Sequence, residues 1–157
     1  MNVLHIMVGI QGSGKSTYSE KLAKELGIKI VSTDVVRVEN PGIDETLVWP
    51  TVYKMCADEL KNKDVIFDAT SITPKVRKRL LDNIKELNSE FNAGCYFFDV
   101  PLEVCKKRVE YRNTLNTGIN IPLEVLDSYQ SWIVKPTLDE GFIFVKVVDE
   151  NGKCSEN

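Results

Sequence analysis

Residues 9 to 17, Gly-Ile-Gln-Gly-Ser-Gly-Lys-Ser-Thr, stand between the apolar run Val3 to Val8 and a segment with helical spacing. Gly9, Gly12 and Gly14 let the backbone turn tightly enough for successive N–H groups to converge on one anion. Lys15 adds a cation there, and the Ser16 hydroxyl can ligate Mg²⁺. The helix that follows turns its positive dipole end toward the same point. The spacing satisfies G-x-x-x-x-G-K-[ST] in full, with a strand before it and a helix after it. Gly9, Gln11, Gly12, Ser13, Gly14, Lys15, Ser16 and Thr17 are therefore expected to hold ATP or another nucleoside triphosphate, with Mg²⁺ on Ser16.

The rest of the composition limits what surrounds this loop. A chain of 157 residues is expected to form one domain over 1–150, with a polar, fraying tail at 151–157. The net charge of −3 excludes a global basic field, so any contact with nucleic acid must come from a local groove. No apolar run is long enough to span a bilayer. The N-terminus lacks a basic stretch and fits a first strand, not a signal peptide. Cys56, Cys95, Cys105 and Cys154 are scattered without C-x-x-C spacing, which points to free thiols in a cytoplasmic protein. His5 is the single histidine and falls within strand sequence, which argues against histidine-based triads.

Strands and helices alternate along the chain, as in an α/β fold with a mainly parallel sheet. Strands are expected at Val3–Val8, Ile28–Val31, Asp64–Asp68, Cys95–Phe98 and Phe142–Val148. A first helix spans about Lys15–Leu26, stopped by Gly27. Residues 35–44 have the look of an irregular segment with its turn at Asn40-Pro41-Gly42. A helix over 44–61 is delayed or broken by Pro50. Another opens at Thr73-Pro74 with Val76, Leu80, Ile84 and Leu87 on its buried stripe. A helix from Pro101 buries Leu102, Cys105 and Val109, the polar stretch 112–121 interrupts it, and Pro122 restarts the pattern.

In open α/β sheets ligands collect at the carboxyl ends of the strands, where Asp34, Asp68 and Asp99 stand. Phosphoryl transfer needs a carboxylate for the acceptor's proton, acidic support for Mg²⁺, and cations over the moving phosphoryl. Asp34 suits the base, with Arg37 a helical turn away to hold an acceptor phosphate or orient the carboxylate. The plainer reading has Asp34 capping a short helix and Arg37 solvated. Asp68 ends its strand as a Walker B acid would, or it bonds the following loop. Asp99 serves the site or only satisfies backbone donors before Pro101. Arg108 and Arg112 lie four residues apart and flank either a lid at about 112–121, where they would neutralise charge on the transferring phosphoryl, or an exposed loop with ordinary surface arginines. Lys75, Arg77, Lys78 and Arg79 form a basic cluster that reads as a solvated helix face or, with a polynucleotide substrate, a contact to its phosphates, while Trp49, Trp132 and the Phe97-Phe98 pair read as core before base-stacking platforms.

Taken in order, these segments resemble the kinase domain of phage-type polynucleotide 5′-kinases. The resemblance is carried by Gly9–Thr17, Ser32-Thr33-Asp34-Val35-Val36-Arg37 and Phe67-Asp68-Ala69-Thr70-Ser71-Ile72-Thr73-Pro74. Phe98-Asp99-Val100-Pro101, the Arg112 insert and Ile121-Pro122-Leu123-Glu124-Val125-Leu126 complete it, so it covers roughly residues 1 to 135. It implies a three-layer α/β/α P-loop kinase fold with a five-stranded parallel sheet of order 2-3-1-4-5 and a lid. It also implies ATP- and Mg²⁺-dependent phosphorylation of a 5′-hydroxyl of DNA or RNA. Asp34 would then activate that hydroxyl, Arg37 engage the neighbouring substrate phosphate, Asp68 join the polar network and Arg112 contact the phosphoryl. The chain lacks the D-x-D-x-T motif of the phosphatase domain that full-length members often carry. A P-loop kinase of a small-molecule hydroxyl keeps the same chemistry. A nucleotide-dependent switch fits less well, since no N-K-x-D base-recognition motif is present.

Overall fold

The computed structural model describes residues 1–115 and 120–156. Residues 116–119, the centre of the expected lid, lie outside the described residues. The phosphate loop follows β1 (Val3–Val8) and leads into α1 (Lys15–Leu26); then come β2 (Lys29–Val31), α2 (Thr33–Glu39), α3 (Val48–Glu59) and β3 (Val65–Asp68). After these run α4 (Pro74–Leu87), β4 (Asn92–Phe98), α5 (Leu102–Thr114), α6 (Leu123–Trp132), β5 (Val145–Val148) and β6 (Cys154–Glu156). The sheet order is β2-β3-β1-β4-β5-β6, parallel throughout except for β6.

Alternation along β1 separates two cores. Leu4, Ile6 and Val8 point toward α3 and α4, where Val52, Cys56, Leu80 and Ile84 cover them. Met7 faces the other way, into a cluster with Cys105 and Val109 of α5 and Leu126 of α6, against which Tyr18 and Leu22 of α1 pack. Helices on both faces of a mainly parallel sheet make three layers. His5 is a strand residue, hydrogen-bonded to Tyr96 at 2.9 Å and paired with Asp64 at 3.0 Å. Among the described residues no helix is long and apolar enough to cross a membrane.

The structure corrects several expectations. Among the described residues the sheet has six strands, because the chain turns at Asp149–Gly152 and Cys154–Glu156 returns as β6 against β5. The segment expected to be irregular begins with α2, capped by the Ser32 hydroxyl, which accepts from the Val35 N–H at 3.0 Å. Pro50 neither delays nor breaks α3, because it sits in the first turn, where a missing N–H costs nothing. On α4 the buried stripe is Arg77, Leu80, Leu81 and Ile84, while Val76 and Leu87 are exposed. Arg77 is fully buried, so the basic cluster is not simply a solvated face. Its Nε donates to Glu140 Oε1 at 2.8 Å and its Nη1 to the Ser71 carbonyl at 2.7 Å. Trp49 and Trp132 are exposed in large part and do not belong to the core.

Candidate active site

The phosphate loop is held from three sides. The Gly9 N–H donates to the Thr70 carbonyl at 3.1 Å, which ties the loop to the chain leaving β3. Gly12 and Gly14 adopt φ of 77° and 96°, conformations that favour glycine. A Cβ on Gly12 would stand 2.6 Å from the Cys105 carbonyl oxygen on α5. Gly14 precedes α1 without a side-chain cap, which leaves first-turn N–H groups free for an anion. The Gln11 side-chain oxygen is buried with no partner among the described residues.

Lys15 reaches over this loop, its Nζ donating to the Ile10 carbonyl at 3.0 Å. Burial lowers its pKa from 10.5 to about 8, Arg112 adds to that lowering, and the Asp68 carboxylate opposes it. A bound triphosphate supplies negative charge that restores the ammonium. The Ser16 hydroxyl donates to Asp68 Oδ2 at 3.1 Å. Burial raises the pKa of Asp68, while Lys15 and the Ser16 bond pull it back. Hydroxyl and carboxylate oxygens beside a phosphate cradle are the hard donors that Mg²⁺ takes together with substrate phosphates. Among the described residues no group of three or more His, Cys, Asp and Glu could hold a metal unaided. Ser16 and Asp68 therefore fit a phosphate-bound Mg²⁺ and not a cage made only of protein.

Asp34 and Arg37 stand one turn apart on α2. Asp34 opens onto the same cleft, of about 560 Å³, as Lys15, Ser16 and Asp68. Its side chain is 88% exposed, and Arg37 Nη1 lies 3.3 Å from its Oδ1. The remaining face of that guanidinium clamps Glu45, with Nη2 at 2.9 Å from Oε1 and Nε at 3.2 Å from Oε2. The pair raises the pKa of Arg37 and lowers that of Glu45. Glu45 belongs to no motif, and only the fold brings it to Arg37.

A second cavity, of about 410 Å³, lies beside the loop and is lined by Thr17, Tyr18, Arg108, Arg112 and the turn 149–152. Arg108 precedes the expected lid. It is in mid-α5, where Nη1 donates to the Gly12 carbonyl at 3.2 Å and Nη2 to the Glu150 carbonyl at 2.6 Å. It thereby joins the phosphate loop to the β5–β6 turn. Arg112 occupies the last turn of α5, close enough to Lys15 to influence its protonation. Asp99 is exposed and lines neither cavity. The turn at Asp149-Glu150-Asn151-Gly152 carried a sequence signal in its Asn-Gly pair, which sequence reasoning passed over.

Comparison with known proteins agrees with this architecture. A family model described as an AAA domain matches residues 4–136. The bifunctional polynucleotide phosphatase/kinase of Schizosaccharomyces pombe is 26% identical over 144 residues, covering 91% of this chain and 32% of its own. The adenylate kinase of Mesoplasma florum is 30% identical over 128 residues, covering 71% of this chain and 59% of its own. The chain thus spans about a third of one curated relative and under two thirds of the other. Among solved structures, a putative kinase from Chloroflexus aurantiacus superposes with a TM-score of 0.73 at 18% identity, over 94% of this chain and 85% of that one. With a complete phosphate-loop motif, a doubly covered parallel sheet and a family match across most of its length, the chain belongs to the AAA domain family and carries the P-loop kinase fold.

Proposed function

We propose that the protein is a cytoplasmic, ATP- and Mg²⁺-dependent kinase whose acceptor is the 5′-hydroxyl of a DNA or RNA end. One observation carries the kinase reading: a single cleft holds Lys15, Ser16 and Asp68 on the donor side and Asp34 on the other. Free N–H groups at the start of α1 and the Lys15 ammonium take the β- and γ-phosphates of ATP. Mg²⁺, held by Ser16 and supported by Asp68, would offset charge on those phosphates. Asp34 accepts the proton of the attacking hydroxyl, and Arg37 orients that carboxylate through its contact with Oδ1. Arg112 and Lys15 stabilise charge spreading over the transferred group.

The polynucleotide acceptor is supported by the resemblance of the ordered segments and by the relative that spans 91% of the chain. A specific observation favours a second reading, a small-molecule hydroxyl. Arg37, the cation nearest Asp34, is already clamped by Glu45 and so is not free to hold a substrate phosphate. Label transfer from [γ-³²P]ATP to a panel of 5′-hydroxyl DNA, RNA, nucleosides and small alcohols tests both. Labelled oligonucleotide ends, with affinity falling steeply in salt, support the first reading. Label confined to a small acceptor replaces it with the second, and no labelled acceptor removes both.

A further inference from the structure

The cavity between α3 and α4 has no part in the account above. It measures about 250 Å³ and is walled by Trp49, Tyr53, Phe67, Val76, Arg79 and Leu80. Trp49, Ala69 and Thr70 line both this cavity and the transfer cleft, so the two adjoin along the chain leaving β3.

Three features define what it can hold. The first is its aromatic wall. The Trp49 ring lies 5.8 Å from Tyr53 and 6.0 Å from Phe67, centroid to centroid, yet Trp49 remains 40% exposed. A ring set against other rings yet partly exposed suits a flat apolar group. The second is an unspent cation. Of its basic neighbours on α4, Arg77 is paired with Glu140 and Lys78 with Asp82. The Arg79 side chain makes no ion pair and no hydrogen bond among the described residues, where only its backbone carbonyl accepts, from Asn83. A guanidinium only donates, so the edge it meets must carry acceptors. The third is size, since the volume falls below the roughly 300 Å³ at which pockets for whole ligands begin. The cavity takes one ring system of a larger molecule.

We infer that this cavity is a nucleobase subsite for the acceptor. The base beside the reacting hydroxyl lies against Trp49 and Tyr53, with a carbonyl or ring nitrogen facing Arg79. The inference rests on the kinase reading for the identity of the reacting group, but base binding can be measured separately. The base could belong to a free nucleoside or to the end of a strand.

Replacing Trp132 with Phe leaves Trp49 as the single tryptophan. Thymidine, a 5′-hydroxyl oligothymidylate, the same oligonucleotide with an abasic 5′ residue, and ribose are each titrated into this variant. The titrations are run with and without a saturating non-hydrolysable ATP analogue, which fills the donor site. Thymidine and the intact oligonucleotide are expected to quench Trp49 fluorescence saturably, and ribose is not. The abasic end and the further change Arg79→Ala are each expected to weaken binding about tenfold. Tighter, salt-sensitive binding of the oligonucleotide would identify a strand end as the source, and equal binding a nucleoside; both uphold the subsite. No quenching by either base-bearing probe, or equal quenching by ribose, overturns it. Quenching without phosphate transfer to any acceptor retains the subsite and removes the kinase reading. Transfer with equal kcat/KM to intact and abasic ends retains the kinase and removes the subsite.

Discussion

Nucleotide binding should draw a proton onto Lys15, and the amount follows from its surroundings. The ammonium is held at about pKa 8 by burial, with Asp68 opposing and Arg112 reinforcing that shift. At pH 8 about half of the free protein therefore carries a neutral Lys15, against about a tenth at pH 7. A bound triphosphate places negative charge against Nζ and returns the pKa toward its ordinary value. Binding at pH 8 should then take up about half a proton, and at pH 9 nearly a whole one. The cost of protonating Lys15 before binding weakens affinity about tenfold between pH 7 and pH 9, or about 1.4 kcal/mol. Cys105 does not interfere, because burial pushes its thiol upward, away from this window. Calorimetric titration with ATP and Mg²⁺ in buffers of different ionisation enthalpy reads the proton count directly. Lys15→Met should abolish the uptake, and Lys15→Arg should abolish its pH dependence, since a guanidinium stays charged. No uptake at pH 8, or the same uptake in Lys15→Met, would refute the reasoning.

The sign of the Lys15 effect on stability is also defined. Its pKa is lower in the folded state than in the unfolded one, so the free protein should gain stability as pH rises from about 8 toward 10.5, and Lys15→Met should flatten that rise in urea titrations. Arg77→Met removes the partner of Glu140 and should destabilise the fold by about 3 kcal/mol, read as a lowered urea midpoint at unchanged slope. Gly12→Ala drives a methyl against the Cys105 carbonyl from a left-handed backbone, so ATP affinity should fall tenfold or more while circular dichroism stays close to that of the parent.

What was legible in the sequence was whatever is written locally. The phosphate loop shows in consecutive residues, and the strands that follow it show in apolar runs bounded by turn signals. The features that escaped depend on distant partners. Arg77 holds a buried position at proper helical spacing with Leu80, Leu81 and Ile84, but its pattern points to solvent because Glu140 lies 63 residues away. Gly94 gives no sign in sequence that the Phe144 ring packs where its Cβ would be. α2 was obscured by Val35-Val36, a β-branched pair, although Ser32-Thr33-Asp34 carried the capping signal for it. In the site, Asp34, Arg37 and Asp68 follow from motif and strand end, whereas Glu45 reaches Arg37 only through the turn that precedes α3, and Trp49 and Arg79 line the adjoining cavity only through the packing of α3 and α4.

The role of Asp34 is the sharpest point of the account, because it separates a kinase from a protein that merely binds nucleotide. Single-turnover transfer from [γ-³²P]ATP to a 5′-hydroxyl oligonucleotide should be compared between the parent and Asp34→Asn, with ATP affinity measured on both. The variant should lose transfer by about a hundredfold or more and bind ATP as before. Transfer at the parental rate in Asp34→Asn would contradict this role.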